Sequence, residues 1–320
     1  MRIAGIVLFM AAAGLISGCA TSTPTKDVPE NQDTDPMIVE LSTTARKQFE
    51  AGEIPGAVVM YRRALERARA MDNSREIGRN AYNLAATMIA LEEWEEAIIL
   101  LKESERETLK AGDDAGPVIL LAAKINRLRD QPGEAEAAID RLEKLPISDD
   151  IRGQAYVLRA HISCDRNDAA RADAFLERAR GFLRKKQDDG LAGEISQVSG
   201  RIAMIKGEWL KAASAFDREA AWMQKSARLP EMAEALERAG QNYLKAGDRV
   251  AASDRFYRSA RSLMAQKNYL GALQVIEQTT QSLEEEGGQT DAETEAAIAN
   301  LFNEIRQSVE KNSQADIKKP

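Results

Sequence analysis

The sequence predicts an all-α chain, a solenoid of antiparallel helix pairs, and three observations carry that expectation. The first is composition: of 320 residues, 44% are hydrophobic and 30% charged but only 5% aromatic, and the balance rests on Ala, Leu, Glu, Lys and Arg, the strongest helix formers. The second is periodicity. Apolar residues recur at helical spacing from Met37 to Val309, interrupted by short turns such as Ala51-Gly52-Glu53, Lys206-Gly207-Glu208 and Ala246-Gly247-Asp248. The third is phase. A small residue follows the turns at a fixed step, at Ala57, Ala97, Ala135, Ala172, Ala212 and Ala252, with spacings of 40, 38, 37, 40 and 40. Twelve residues before each lies another small one (Ala45, Ala85, Ala123, Ala160, Gly200, Gly240), and four after each a large apolar one (Tyr61, Leu101, Ile139, Leu176, Phe216, Phe256). Two antiparallel helices approach closely only where small residues sit at their crossing, and the bulky residue one turn on fills the groove of the next pair.

Taken from the start, residues 1–18 hold a positive Arg2, an apolar run from Ile3 to Leu15 and Ile16-Ser17-Gly18 ahead of Cys19, the layout of a secretory signal. The run is too short to span a bilayer, which needs about 20 apolar residues. This segment resembles a bacterial lipoprotein signal with its lipobox, the Leu usual three residues before the cysteine being replaced by Ile16. The resemblance implies that Cys19 is the lipidated mature N-terminus, palmitate or similar chains anchoring it stably, at about 0.8 kcal/mol per buried CH₂. Ala20 is not the Asp that retains lipoproteins in the inner membrane of enteric bacteria, so the same resemblance implies the outer membrane, facing the periplasm. Residues 19–36, rich in Thr, Ser, Pro, Asp and Asn, read as a flexible tether.

Residues 37–265 are the repeats, about six pairs. They resemble the tetratricopeptide repeat family on the small residue of the first helix, the turn leading to Ala, and the bulky residue four later, and the resemblance implies that the solenoid is a right-handed superhelix. The best copies are Ala85 to Leu101 with Trp94-Glu95-Glu96-Ala97, Gly207-Glu208-Trp209-Leu210-Lys211-Ala212 with Phe216, and Gly247-Asp248 to Ala252 with Phe256. The units exceed the family's usual length, lack its proline near the end of the second helix, and carry Thr44, Arg159 and Ser199 in place of its first-helix Leu. Residues 266–312 are expected to form a C-terminal capping helix pair out of phase with the repeats, its last helix started by a capping box over Thr290-Asp291-Ala292-Glu293, and 313–320 a disordered tail.

Catalytic signals are few. A single His excludes metal sites of several imidazoles, and neither a phosphate-cradling Gly loop nor a Gly-x-Ser-x-Gly elbow occurs, so no catalytic, cofactor-binding or metal-binding residue is expected. Paired acids such as Glu92-Glu93 and Glu95-Glu96 follow from 51 acidic residues on helices and read as solvated surface. His161 and Cys164 share a helix face, but the positions aligned with Cys164 (Phe49, Ile89, Arg127, Met204, Leu244) are mostly apolar, which marks a buried structural thiol. A net charge of −7 without a basic cluster interleaved with aromatics argues against nucleic acid.

One residue after the small position of each first helix stand Arg46, Ala86, Lys124, His161, Arg201 and Gln241. The family resemblance implies that this position faces a groove that holds peptides or helices, with neighbours Phe49, Tyr82, Arg127, Gln197, Met204 and Glu237. A basic ladder with apolar contacts suits an anionic partner segment. The expected function is therefore a membrane-anchored protein–protein interaction scaffold of the cell envelope, not an enzyme and without a small-molecule substrate. Resemblance to related lipoproteins implies assembly of pili, secretin rings or outer-membrane barrels. The alternatives are an adaptor for cell-wall enzymes and a helical-array peptidoglycan enzyme.

Overall fold

The computed structural model describes residues 35–185, 188–285 and 292–317. The signal segment, Cys19, nearly all of the tether and Thr290 and Asp291 of the expected capping box lie outside the described residues. Every described element is an α-helix. The chain divides into two compact units, Met1–Leu158 and Arg159–Pro320. The first contains α1 (Pro36–Glu50), α2 (Ile54–Ala70), α3 (Ser74–Ala90), α4 (Trp94–Lys110), α5 (Gly116–Leu128) and α6 (Pro132–Leu142), and the boundary falls within α7 (Asp149–Asp165). The second continues with α8 (Ala169–Lys185), α9 (Asp189–Ile205), α10 (Trp209–Lys225), α11 (Leu229–Lys245), α12 (Arg249–Ala265), α13 (Tyr269–Glu285) and α14 (Ala292–Ile317). None of these helices is long and apolar enough to cross a membrane.

The module beneath the repeat is half its length. Most helices have 17 residues and are separated by three-residue turns, so that α3 and α4, and again α8 to α13, each begin 20 residues after the one before. The turns share one chemistry. Their middle residue is left-handed, and the N–H of the third reaches back five residues to a helix carbonyl, as Glu53 does to Gln48 at 2.8 Å and Asp248 to Tyr243 at 3.0 Å. This is a Schellman stop, which satisfies carbonyls the helix end leaves free. The next helix starts on a cap: the Asp248 side chain accepts from the Ala251 N–H at 3.0 Å, Asp168 from Arg171 at 2.9 Å and Asn73 from Glu76 at 3.2 Å. Gly fills the left-handed position at Gly52, Gly112, Gly207 and Gly247, but Asp72, Glu92, Asp130, Asn167, Ala227 and Lys267 occupy it elsewhere. A side chain there costs about 1–2 kcal/mol, against about 0.5–1 for the extra entropy of Gly. Ala227→Gly and Lys267→Gly should therefore each stabilise the second unit by about 0.5–1 kcal/mol. The readout is the urea midpoint at constant slope, and an unchanged or lower midpoint refutes the prediction.

The aligned small residues form the seam of the hairpins. Ala57, Ala97, Ala135, Ala172, Ala212 and Ala252 are all 0% exposed, as are Ala45, Ala85, Ala123 and Ala160, while Gly200 and Gly240 are also buried. The bulky residues are buried with them, from Phe216 and Ile139 at 0% to Tyr61 at 6%. Gly replaces Ala where the bulky partner is Phe: a Cβ on Gly200 would lie 2.7 Å from the Phe216 ring, and one on Gly240 2.9 Å from Phe256. Third-pair helices α5 and α6 are short, 13 and 11 residues, which is where the spacing drops below 40.

Long side chains tie successive repeats across the surface. Arg62 pairs with Glu96 at 2.8 Å, Arg69 with Glu103 at 2.5 Å and Arg129 with Glu95 at 2.9 Å in the first unit. In the second, Lys225 meets Asp189 at 2.9 Å, Arg255 meets Asp217 at 3.0 Å, and Lys206 holds Asp173. Each such pair is worth little singly, about 0–1 kcal/mol.

Two expectations about the C-terminus need correction. Helix α13 keeps the 20-residue step, since Tyr269 follows Arg249 by that interval, so only α14, with 26 residues, leaves the phase. The last helix also runs through Ser313 to Ile317 where a disordered tail was expected. Its sequence there has no Gly or Pro to stop it before Pro320.

Candidate partner-binding face

The first helices of the pairs, α1, α3 and α5 in one unit, α9 and α11 in the other and α7 at the boundary, carry the residues beside the small seam. In the first unit Arg46 is exposed, and Phe49 and Tyr82 are half-buried, Tyr82 against the core that includes Leu84 and Ala85. Arg127 is half-buried. Lys124 is only 7% exposed, and its Nζ donates to Gln154 Oε1 at 3.3 Å. In the second unit His161 is 8% exposed with Nδ1 3.0 Å from Arg201 Nη1. A guanidinium only donates, so this Nδ1 is the accepting, unprotonated nitrogen. The same guanidinium pairs with Asp165 through Nη2 at 2.6 Å. Met204 is half-buried against Ala203, Ala212, Phe216 and Ala239, and Cys164 is buried.

Within each unit the expected ladder residues differ in how far their charges are available. Lys124 and Arg201 are engaged inside the chain, whereas Arg46 presents its guanidinium to solvent. Among the described residues no group of His, Cys, Asp and Glu is arranged to hold a metal ion.

Sequence reasoning passed over a second feature, at the junction of α10 with α11. Seven residues after each small residue of the second helices stand Ala64, Ser104, Leu142, Ala179, Glu219 and Ser259. Ser104 and Ser259 fit that buried column by donating to backbone carbonyls, Gly78 O and Ala233 O, both at 2.8 Å. Glu219 is 1% exposed in the same column. Its Oε1 accepts from Gln197 Nε2 at 2.8 Å and from Arg238 Nη2 at 2.9 Å, while Oε2 is buried without a hydrogen-bond partner among the described residues. Arg238 is the odd member of its own column, which elsewhere reads Thr43, Asn83, Leu121, Leu158 and Val198. Burial pushes the Glu219 carboxyl up to about 7, against the opposing pull of Arg238 and Gln197. Glu234 and Glu237 on α11 are raised as well, again chiefly by burial. The signal was available in the aligned columns as the one place where a charge faces a charge.

Comparison with known proteins agrees on the fold. No protein-family model matches the chain, and no curated protein matches it in sequence. Solved structures do. A Rap protein complexed with Competence and Sporulation Factor superposes with a TM-score of 0.55 at 12% identity, covering 87% of this chain and 76% of that one. PilW, a type IV pilus biogenesis factor, gives 0.52 at 17% identity over 76% of this chain and 99% of its own. The signal-transduction ATPase PH0952 from Pyrococcus horikoshii, with its tetratricopeptide repeat sensor, gives 0.55 at 12% identity over 87% of this chain, which spans 43% of that protein. The chain is an all-α, tetratricopeptide-like solenoid of helical hairpins.

Proposed function

We propose that this chain is a lipid-anchored, non-catalytic interaction scaffold of the bacterial outer membrane that assists assembly of envelope machinery. The observation that carries the binding role is the division of labour on the first helices. Their small residues are consumed in the hairpin seam, while the neighbouring column leaves Arg46, Phe49, Tyr82 and Met204 partly open to solvent as mixed polar and apolar contacts. Repeat architectures of this kind expose long binding surfaces without needing a catalytic pocket. The anchor rests on Ile16-Ser17-Gly18-Cys19, and tethering there raises the effective concentration of the scaffold for partners at the membrane. Likeness to PilW favours pilus assembly among the envelope processes.

Radiolabelled palmitate incorporation and membrane fractionation test the anchor, with Cys19→Ala expected to abolish labelling and release the protein from the outer-membrane fraction. Labelling that survives in the variant removes the anchor reading. Crosslinking and capture from native membranes test the scaffold, comparing wild type with Arg46→Glu/Lys124→Glu/Arg201→Glu after both are shown to fold and fractionate alike. Loss of a pilus, secretin or barrel component from the variant supports the proposal. Recovery of cell-wall hydrolases in their place assigns the chain to that machinery, and capture that the triple variant leaves unchanged removes the ladder from the binding face.

A further inference from the structure

Three junctions between successive second helices are closed by charge, α2 with α4 and α4 with α6 in the first unit and α10 with α12 in the second. Arg62 of α2, five residues after Ala57, reaches Glu96 of α4 at 2.8 Å, and Arg69, twelve after, holds Glu103 at 2.5 Å. Arg141 of α6 meets Glu105 of α4 at 3.4 Å. In the second unit Asp217 of α10, again five residues after its small residue, takes Arg255 of α12 at 3.0 Å and the Tyr243 hydroxyl at 2.9 Å. Where α12 faces α14, the same two positions are Tyr257 and Met264, and neither can bridge by charge. The helices there leave a cleft of about 550 Å³, walled by Tyr257, Arg261 and Met264 of α12, Tyr269 of α13, and Leu301 and Glu304 of α14.

The wall is chemically unlike the closed junctions. Two tyrosines and a methionine supply broad, adaptable apolar contact, the residue types enriched where proteins bind one another. The Arg261 guanidinium stands 5.8 Å from the Tyr257 ring and makes no ion pair among the described residues. Glu304, exposed on the facing helix, is likewise unpaired among them. A cavity of this size suits one bulky side chain and its flanking backbone.

We propose that this cleft is a second peptide-binding site, taking a partner segment in which an aromatic side chain lies between a carboxylate and a cation. The ring enters between Tyr257, Tyr269, Met264 and Leu301, the carboxylate forks onto Arg261, and the cation faces Glu304, which fixes the direction of the segment. The site is built from α12, α13 and α14 and shares no residue with the first-helix column of the scaffold reading, so either can fail alone.

Fluorescein-labelled, end-capped Gly-Asp-Phe-Lys-Gly, titrated by anisotropy with the detergent-solubilised full chain, is the probe. It should bind at least tenfold more tightly than Gly-Asp-Gly-Lys-Gly, which lacks the ring, or Gly-Lys-Phe-Lys-Gly, which lacks the acid. Arg261→Glu should reverse the preference between the first and third peptides, and because Arg261 is exposed this variant keeps its fold. Tyr257→Asp, the residue the preceding repeat carries at that position, should abolish binding with helicity unchanged. No binding, equal affinity for the three peptides, or a preference untouched by Arg261→Glu overturns the proposal.

Discussion

Gly200→Ala is expected to destabilise the second unit by about 1–3 kcal/mol, although Ala is the better helix former by about 1 kcal/mol, and Phe216→Leu is expected to rescue it. The added Cβ would lie 2.7 Å from two carbons of the Phe216 ring, and the ring, 0% exposed, has nowhere to go. Alone, Phe216→Leu costs about 1 kcal/mol as a modest cavity. Together the two changes install the Ala–Leu pairing that Ala85 with Leu101, and Ala160 with Leu176, already use at the equivalent positions. A urea double-mutant cycle should show a favourable coupling above about 1 kcal/mol. Additive effects of the two changes would mean that the seam does not match residue sizes pairwise.

The second large effect concerns the buried pair. Arg238→Val strips Glu219 of its cation and should destabilise the second unit by about 3–5 kcal/mol at pH 8. The cost should shrink towards pH 5. Burial raises the Glu219 carboxyl from its ordinary 4.5 to about 7 in the folded chain, so the stability linked to its neutral form is fully present below 4.5 and is lost as pH rises through about 7. A shift of that size corresponds to something of the order of 3 kcal/mol across the window. Glu219→Ala/Arg238→Val, which reproduces the Ala179 and Val198 pair of the preceding junction, should instead exceed wild type at pH 8 by about 1–3 kcal/mol. The gap between them should close on acidification. Thermal denaturation at pH 5 and pH 8 distinguishes these outcomes, and a cost for Arg238→Val that is the same at both would show that Glu219 is not the group in control.

The hairpin seam was legible in the sequence because packing at a helix crossing demands small residues at one spacing, and Ala57 to Ala252 obey that demand without exception. The 20-residue module was harder to see. Its left-handed turn is marked by Gly at only some junctions, and Asp72, Glu92, Ala227 and Lys267 adopt the same backbone without announcing it. The first-helix column was read as a row of cations, but side-chain partners 30 to 40 residues away decide whether a cation is available, as Gln154 does for Lys124 and His161 with Asp165 for Arg201. Glu219 and Arg238 escaped attention because each is unremarked on a charged helix and becomes unusual only beside the residues that share its column.

The surface pairs described above reach 33 to 38 residues along the chain, about one repeat, as Lys206 does to Asp173 and Arg255 to Asp217. A chain stitched over that range responds to tension by shedding hairpins in sequence, because releasing one leaves the interior of the next intact. Each released pair of about 40 residues supplies up to roughly 130–145 Å of extended chain. Pulled from its two ends, such a protein is expected to lengthen in discrete steps while the hairpins still folded keep their packing.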